Sequence, residues 1–186
     1  MIIVEGPDGA GKTTLIERIE ADWGLSREPR AVTSAAESIV PIGDYIDTQL
    51  NLGFGWRLYD RFALISSPMY MMLPNRTFRE EMLDFTWLQA QYVKMSKVDP
   101  VIIYCLPPLE EVKKNLSQDD NSGGKVQPNI EQIYLNYHAF AARVYSSSSM
   151  VWDYTNPDLL RLAHLLRWAK ARVDRDEGNM KPRKKW

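Results

Sequence analysis

Several features that would fix a protein's class at once are scarce in this sequence. Its one cysteine, Cys105, excludes a disulfide framework, and the apolar run around it marks a buried, inert thiol. The two histidines, His138 and His164, lie in separate helical stretches without ligand-like spacing, which argues against a zinc site. No apolar run approaches the roughly 18 residues that a membrane-spanning helix needs, so no membrane partner is expected. With a net charge of −1 the chain is no polycation. Contact with nucleic acid must then come from a local patch, and the basic end Lys181-Pro182-Arg183-Lys184-Lys185-Trp186 reads first as a disordered solubilising tail. No internal repeat is present. At 186 residues the chain is long enough for a proper core and is expected to form one domain over 1–178, followed by the tail 179–186.

What the chain does have is Glu5-Gly6-Pro7-Asp8-Gly9-Ala10-Gly11-Lys12-Thr13-Thr14, set directly behind the apolar run Met1-Ile2-Ile3-Val4. Short apolar residues followed by glycines predict a buried strand ending in a tight turn, and Leu15, Ile16 and Ile19 carry helical spacing beyond it. Strand, glycine-rich loop and helix together make a P-loop. Its glycines let backbone N–H groups curl round a phosphate, the helix dipole adds to the attraction, and Lys12 reaches the outer phosphates from the solvent side. Thr13 would supply a hydroxyl to Mg²⁺. Because the motif starts so near the first residue, no cleavable leader is expected and the protein is placed in the cytoplasm.

Further along, Arg30 to Thr33 could make a short strand, and Tyr45 to Leu52 a helix. Trp56 to Tyr59 predicts a second strand that ends at Asp60-Arg61. A carboxylate at such a strand end lies beside the P-loop in a doubly wound sheet, so this pair is a site candidate; the plainer reading is a solvated ion pair. Phe62 to Asn75, rich in Met and aromatics, reads as core before it reads as a binding pocket. A helix is expected from a capping box at Thr77 and Glu80 to about Lys97, with Phe78, Met82, Phe85, Leu88, Tyr92 and Met95 on its apolar stripe. That stripe could serve the core or the seam of a homodimer. Val101 to Leu106 reads as a strand covered on both faces, stopped by Pro107 and Pro108 before a short helix. Residues 117–129 are too polar for the core and form a surface loop or a flap that could close over a site. Asn129 caps a further helix, Ser146 to Ser149 is a polar break, and Met150 to Tyr154 is a last strand. The final helix is expected to open at Asn156-Pro157 and to stop before Gly178. Alternating strands and helices imply a three-layer α/β sandwich around a parallel sheet.

With these pieces in place the chain resembles the thymidylate kinase family of P-loop nucleotide kinases. The loop from Glu5 to Thr14 matches that family's variant almost residue for residue. Arg27-Glu28-Pro29 resembles its Arg-Glu-Pro segment, Asp60-Arg61-Phe62 with Ser66, Ser67 and Tyr70 its Asp-Arg-Tyr element, and Leu106 to Glu111 the strand and proline turn leading to its lid. The resemblance implies a kinase in which Gly6, Asp8, Gly9, Ala10, Gly11, Lys12, Thr13 and Thr14 bind ATP, and Thr13 with Asp60 positions Mg²⁺. It further implies that Asp8 approaches the acceptor's sugar and that Arg61, with Arg27, holds an acceptor phosphate through its planar fork. Lys12, Asp60 and Arg61 form the expected catalytic set.

Three departures argue against a simple dTMP kinase. Met71 stands where the family's base-reading Gln follows the tyrosine. The flap carries Lys125 and no arginine, so the cation near the transferred phosphoryl group falls to Arg76, Arg79, Lys125 or Arg143. The stretch between the P-loop and Asp60 is short, which opens the acceptor side. Bacteriophage relatives of thymidylate kinase phosphorylate 5-hydroxymethyluracil in DNA, and the sequence leans toward that branch, with phosphoryl transfer in the host cytoplasm. The alternative is a kinase for free dTMP or another dNMP; a third possibility is a P-loop binding module without catalysis. A hydroxymethyl acceptor needs a carboxylate base, for which Asp60, Asp8 and Glu28 are the candidates.

Overall fold

The computed structural model describes residues 1–28, 42–70, 84–118, 127–144 and 146–180. Four strands form one parallel sheet: β1 (Ile2–Glu5), β2 (Leu58–Asp60), β3 (Val101–Cys105) and β4 (Ser149–Trp152), in the order β2-β1-β3-β4. β1 and β3 are buried along their whole length, as expected of parallel strands covered on both faces. The chain leaves β1 toward β2 on one side and reaches β3 on the other, so the loop after β1 stands at the point where the winding reverses. Ligands of such sheets bind there, outside the strands' carboxyl ends.

Seven helices are described: α1 (Lys12–Trp23), α2 (Ile42–Asn51), α3 (Ala63–Met69), α4 (Phe85–Val98), α5 (Leu109–Gln118), α6 (Ile130–Arg143) and α7 (Leu159–Met180). α1 packs on β1 and β2 and α7 on β3 and β4, while α2, α3, α4 and α6 pack on one another and α5 on α6. The result is the expected three-layer α/β sandwich.

The elements differ from the sequence reading in instructive places. Phe62, Met69 and Tyr70 are buried core, as expected, but Phe62 to Tyr70 also holds α3, which the cluster of large residues concealed. The capping box at Thr77 and Glu80 lies outside the described residues; α4 opens instead at Asp84, whose side chain accepts from the Trp87 amide. Its buried face runs through Gln91, Met95 and Val98. Phe85, placed on the apolar stripe by the sequence, is 78% exposed, because the face is centred on Gln91 and not on Tyr92. The strand expected at Arg30 to Thr33 also falls outside the described residues, although Arg27 makes an isolated parallel bridge to Leu58. Asp158, not Asn156, caps α7, taking the Arg161 amide at 2.9 Å, and the helix continues past Gly178 to Met180. The serines 146, 148 and 149 form a knitted turn, with the Ser148 hydroxyl donating to Asp99 at 2.6 Å.

Candidate functional site

β1 ends at Glu5, and the chain turns at Gly6 against β3. With φ at 145°, a Cβ on Gly6 would stand 2.5 Å from the Cys105 carbonyl oxygen, so only glycine fits. Gly11 then caps α1 at φ 77°, and a Cβ there would meet the Tyr154 ring at 2.9 Å. Without a capping side chain at Gly11, the first N–H groups of α1 are left to an anionic ligand, and the helix dipole points the same way. Thr13 and Thr14 are exposed on that first turn.

Lys12 is not the solvent-side ligand that the sequence suggested: it is 8% exposed, and its ammonium donates to the Pro7 carbonyl at 2.6 Å. The loop's own carbonyl satisfies the charge while the loop closes around it. Burial, and then the neighbouring Arg61 guanidinium, bring its pKa down to about 8.

Strand pairing brings the second half of the site to the first. Asp60 lies opposite Val4 in the β1–β2 register, and the Arg61 amide donates to the Val4 carbonyl at 2.9 Å. Arg61 adopts a left-handed φ of 66°, which aims its side chain back over the loop. One Nη donates to Asp8 Oδ1 and to the Gly6 carbonyl at 3.3 Å, and the guanidinium lies 5.0 Å from the centre of the Tyr70 ring. The Tyr70 hydroxyl donates to Asp8 Oδ2 at 3.2 Å. For Asp8, burial opposes ionisation, but the charges of Arg61 and Lys12 outweigh it and hold the carboxyl below its usual range. Lys12, Asp8, Asp60 and Arg61 thus share one cluster. Arg27 pairs with Glu20 on α1 at 3.0 Å, and its guanidinium also feels the charge of Asp60.

Asp60 Oδ1 is buried and has no hydrogen-bond partner among the described residues. A buried carboxylate oxygen left this way is costly unless something positive binds it. One carboxylate and the Thr13 hydroxyl suit Mg²⁺, which takes few protein ligands and completes its shell with phosphate and water. Among the described residues no group of three or more His, Cys, Asp or Glu forms an all-protein metal cage.

Beside the loop opens a cleft of about 370 Å³ lined by Thr14, Leu15, Arg18, Glu111, Trp152 and Tyr154. Its floor is held by Asn115, whose amide donates to the Gly9 carbonyl at 2.8 Å and to the Tyr154 hydroxyl at 2.9 Å. The cleft adjoins the loop through Gly11 and Thr14. Asn115 and Tyr154 were not found in the sequence, because each is isolated there and meets the loop only through the fold. Of the proposed positive groups, Arg76, Arg79 and Lys125 lie outside the described residues. Arg143 is exposed in the last turn of α6, whose Phe140, with the adjacent Val144, lines a cleft shared with Pro100 and Ile102 at the start of β3.

Cys105 is fully buried, and burial pushes its thiol up to about 12, as an inert cysteine requires. Glu5, also fully buried, accepts from the Phe62 amide at 2.6 Å and from the Tyr137 hydroxyl at 3.0 Å. Burial raises its pKa to about 7 against the opposing pull of these donors and of Arg61.

No protein-family model and no curated protein matches the sequence. Solved structures do match. The YorR protein of Bacillus subtilis, in complex with phosphorylated GDP, superimposes with a TM-score of 0.65 at 16% identity, covering 94% of this chain and 97% of that one. Deoxyadenosine kinase of M. mycoides with bound dCTP gives 0.57 at 17% identity over 92% of this chain and 100% of that one. The same enzyme with bound dATP gives 0.52 at 15% identity over 93% and 98%. At such identities the likeness speaks for the fold alone, which this chain shares with the deoxyadenosine kinase.

Proposed function

We propose that the protein is a P-loop kinase that transfers the γ-phosphoryl group of ATP, with Mg²⁺, to a deoxynucleoside-type acceptor. The observation that carries this reading is the convergence on one cluster of Lys12 and Asp8 from the loop with Asp60 and Arg61 from β2. The amides from Gly6 to Thr14 and the Lys12 ammonium hold the phosphates, displacing the Pro7 carbonyl from Lys12. Asp60 and Thr13 hold Mg²⁺, which when bound offsets the charge that develops on the transferred group. Arg61, braced by Asp8 and Tyr70, faces the acceptor. Positioning and charge neutralisation supply the catalysis.

The likeness to a deoxyadenosine kinase with bound deoxynucleotides supports a deoxynucleoside or deoxynucleoside monophosphate as acceptor. The match of the loop and of Asp60-Arg61 to the thymidylate kinase pattern supports a thymidine-type base. A second reading, phosphorylation of 5-hydroxymethyluracil in phage DNA, is favoured by Met71 in place of a base-reading Gln. Incubation with γ-labelled ATP and thymidine, dTMP, dGMP or hydroxymethyluracil-containing DNA separates the two. Label in a small acceptor supports the first reading and label in DNA the second; tight ATP binding with label in neither leaves a binding module and defeats both.

A further inference from the structure

We infer that Glu5 is a positioning residue of this site: from beneath the loop it sets the turn that presents Arg61, and through Tyr137 it braces the Tyr70 ring against which Arg61 lies. The inference rests on the kinase reading for what Arg61 faces, and on geometry for the rest. Glu5 occupies the last position of β1, where packing alone would be met by an apolar residue. Both of its carboxylate oxygens are used. Oε1 takes the Phe62 amide, which the left-handed turn at Arg61 leaves without a strand partner, and Oε2 takes the Tyr137 hydroxyl. A non-glycine residue held at φ 66° needs its flanking groups fixed, and the Phe62 amide is the group that follows it.

From Tyr137 the contacts return to the same guanidinium. The Tyr137 ring meets Tyr70 edge-on at 6.4 Å, and Tyr70 lies under Arg61 and donates to Asp8. Asn136, next to Tyr137, donates to the Met69 carbonyl at 3.2 Å and ties α6 to α3 a second time. The donor side is held by other contacts: Lys12 by the Pro7 carbonyl, and the loop by Asn115 and Tyr154. Glu5 therefore acts first on the acceptor half of the site and reaches the triphosphate half second-hand, through the contacts of Arg61 with Asp8 and the Gly6 carbonyl.

The test compares Glu5→Gln, Tyr137→Phe and the double variant in the full chain. Three quantities are read: affinity for a non-hydrolysable ATP analogue, kcat and KM for the acceptor, and the side-chain NMR signal of Arg61 Nε–H. The expected result is an analogue affinity within about twofold of the parent and an acceptor kcat/KM lowered about tenfold or more, with the Arg61 signal shifted or broadened. The two single effects should not add, since both act through one carboxylate. Equal losses on the donor and acceptor sides would mark general damage to the loop and overturn the inference. So would an unchanged acceptor kcat/KM, or additive effects. Should Glu5→Gln not fold, Tyr137→Phe, which removes one hydroxyl, carries the same comparison. If the parent phosphorylates nothing, the kinase reading fails on its own. The Arg61 signal in Glu5→Gln then decides for the positioning role if it changes and against it if it does not.

Discussion

Arg61 and Asp8, 53 residues apart in sequence, form an ion pair directly over the P-loop, with the arginine side chain only 11% exposed. The pair joins the loop after β1 to the end of β2. It is the contact that joins the glycine-rich loop to the Asp-Arg strand end, and it makes the properties of each half depend on the other.

The first consequence concerns proton uptake by Lys12. In the free protein its pKa is about 8, lowered by burial and by Arg61, whereas a bound triphosphate favours the charged form. Below pH 8 the lysine is already charged and analogue affinity should be flat. Above it, binding must take up a proton, so affinity should fall up to about tenfold per pH unit. Calorimetry in buffers of different ionisation enthalpy reads that proton directly at pH 9.

Asp60 offers a separation of stability from activity. Its Oδ1 is buried without a partner among the described residues, so Asp60→Asn should leave thermal stability unchanged or slightly raised. Phosphoryl transfer should fall by about 10²-fold or more, and Mn²⁺ affinity of the ATP complex should weaken. A matching loss of stability and activity would argue for a structural role instead.

Gly11 and Asn115 test the wall between the loop and Tyr154. Gly11→Ala forces a Cβ to 2.9 Å from the Tyr154 ring at a φ of 77° and should cost about 2 kcal/mol of stability. Asn115→Ala removes donors from the Gly9 carbonyl and the Tyr154 hydroxyl and should cost about 1 kcal/mol. Both should weaken binding of the ATP analogue, as read by titration.

The stability of the protein should carry the signature of Glu5. Its carboxyl titrates near 4.5 when unfolded and near 7 when buried in the fold. Between these values the native state binds more protons than the unfolded state, so stability falls as pH rises from about 4.5 to about 7, by up to about 3 kcal/mol. Chemical denaturation across that window should show the slope in the parent and lose it in Glu5→Gln.

The sequence made most of the fold readable because strand β1, the glycines and α1 agree with one another at the level of local pattern. Asp60-Arg61 was legible for a topological reason: a strand end next to β1 has to face the loop. What stayed hidden was set by contacts across the fold. Glu5 reads as the first letter of a loop motif, yet it is the last residue of a buried strand, a polar group that must find partners. Tyr137 is spaced like an apolar residue on the face of α6, and that spacing conceals its hydroxyl. Lys12 was read from its role with a ligand, while its burial follows from the Pro7 carbonyl that the loop itself provides. α3 was concealed by composition: a cluster of large residues with Ser and Pro among them reads as core and not as a short buried helix.

The most direct measurement is the Lys12→Ala variant, tested for ATP-analogue binding and for label transfer under conditions where the parent is active. The account predicts a folded protein with transfer reduced by on the order of 10³-fold and with analogue affinity sharply weakened. Transfer and affinity equal to those of the parent would place the triphosphate elsewhere and contradict the site described.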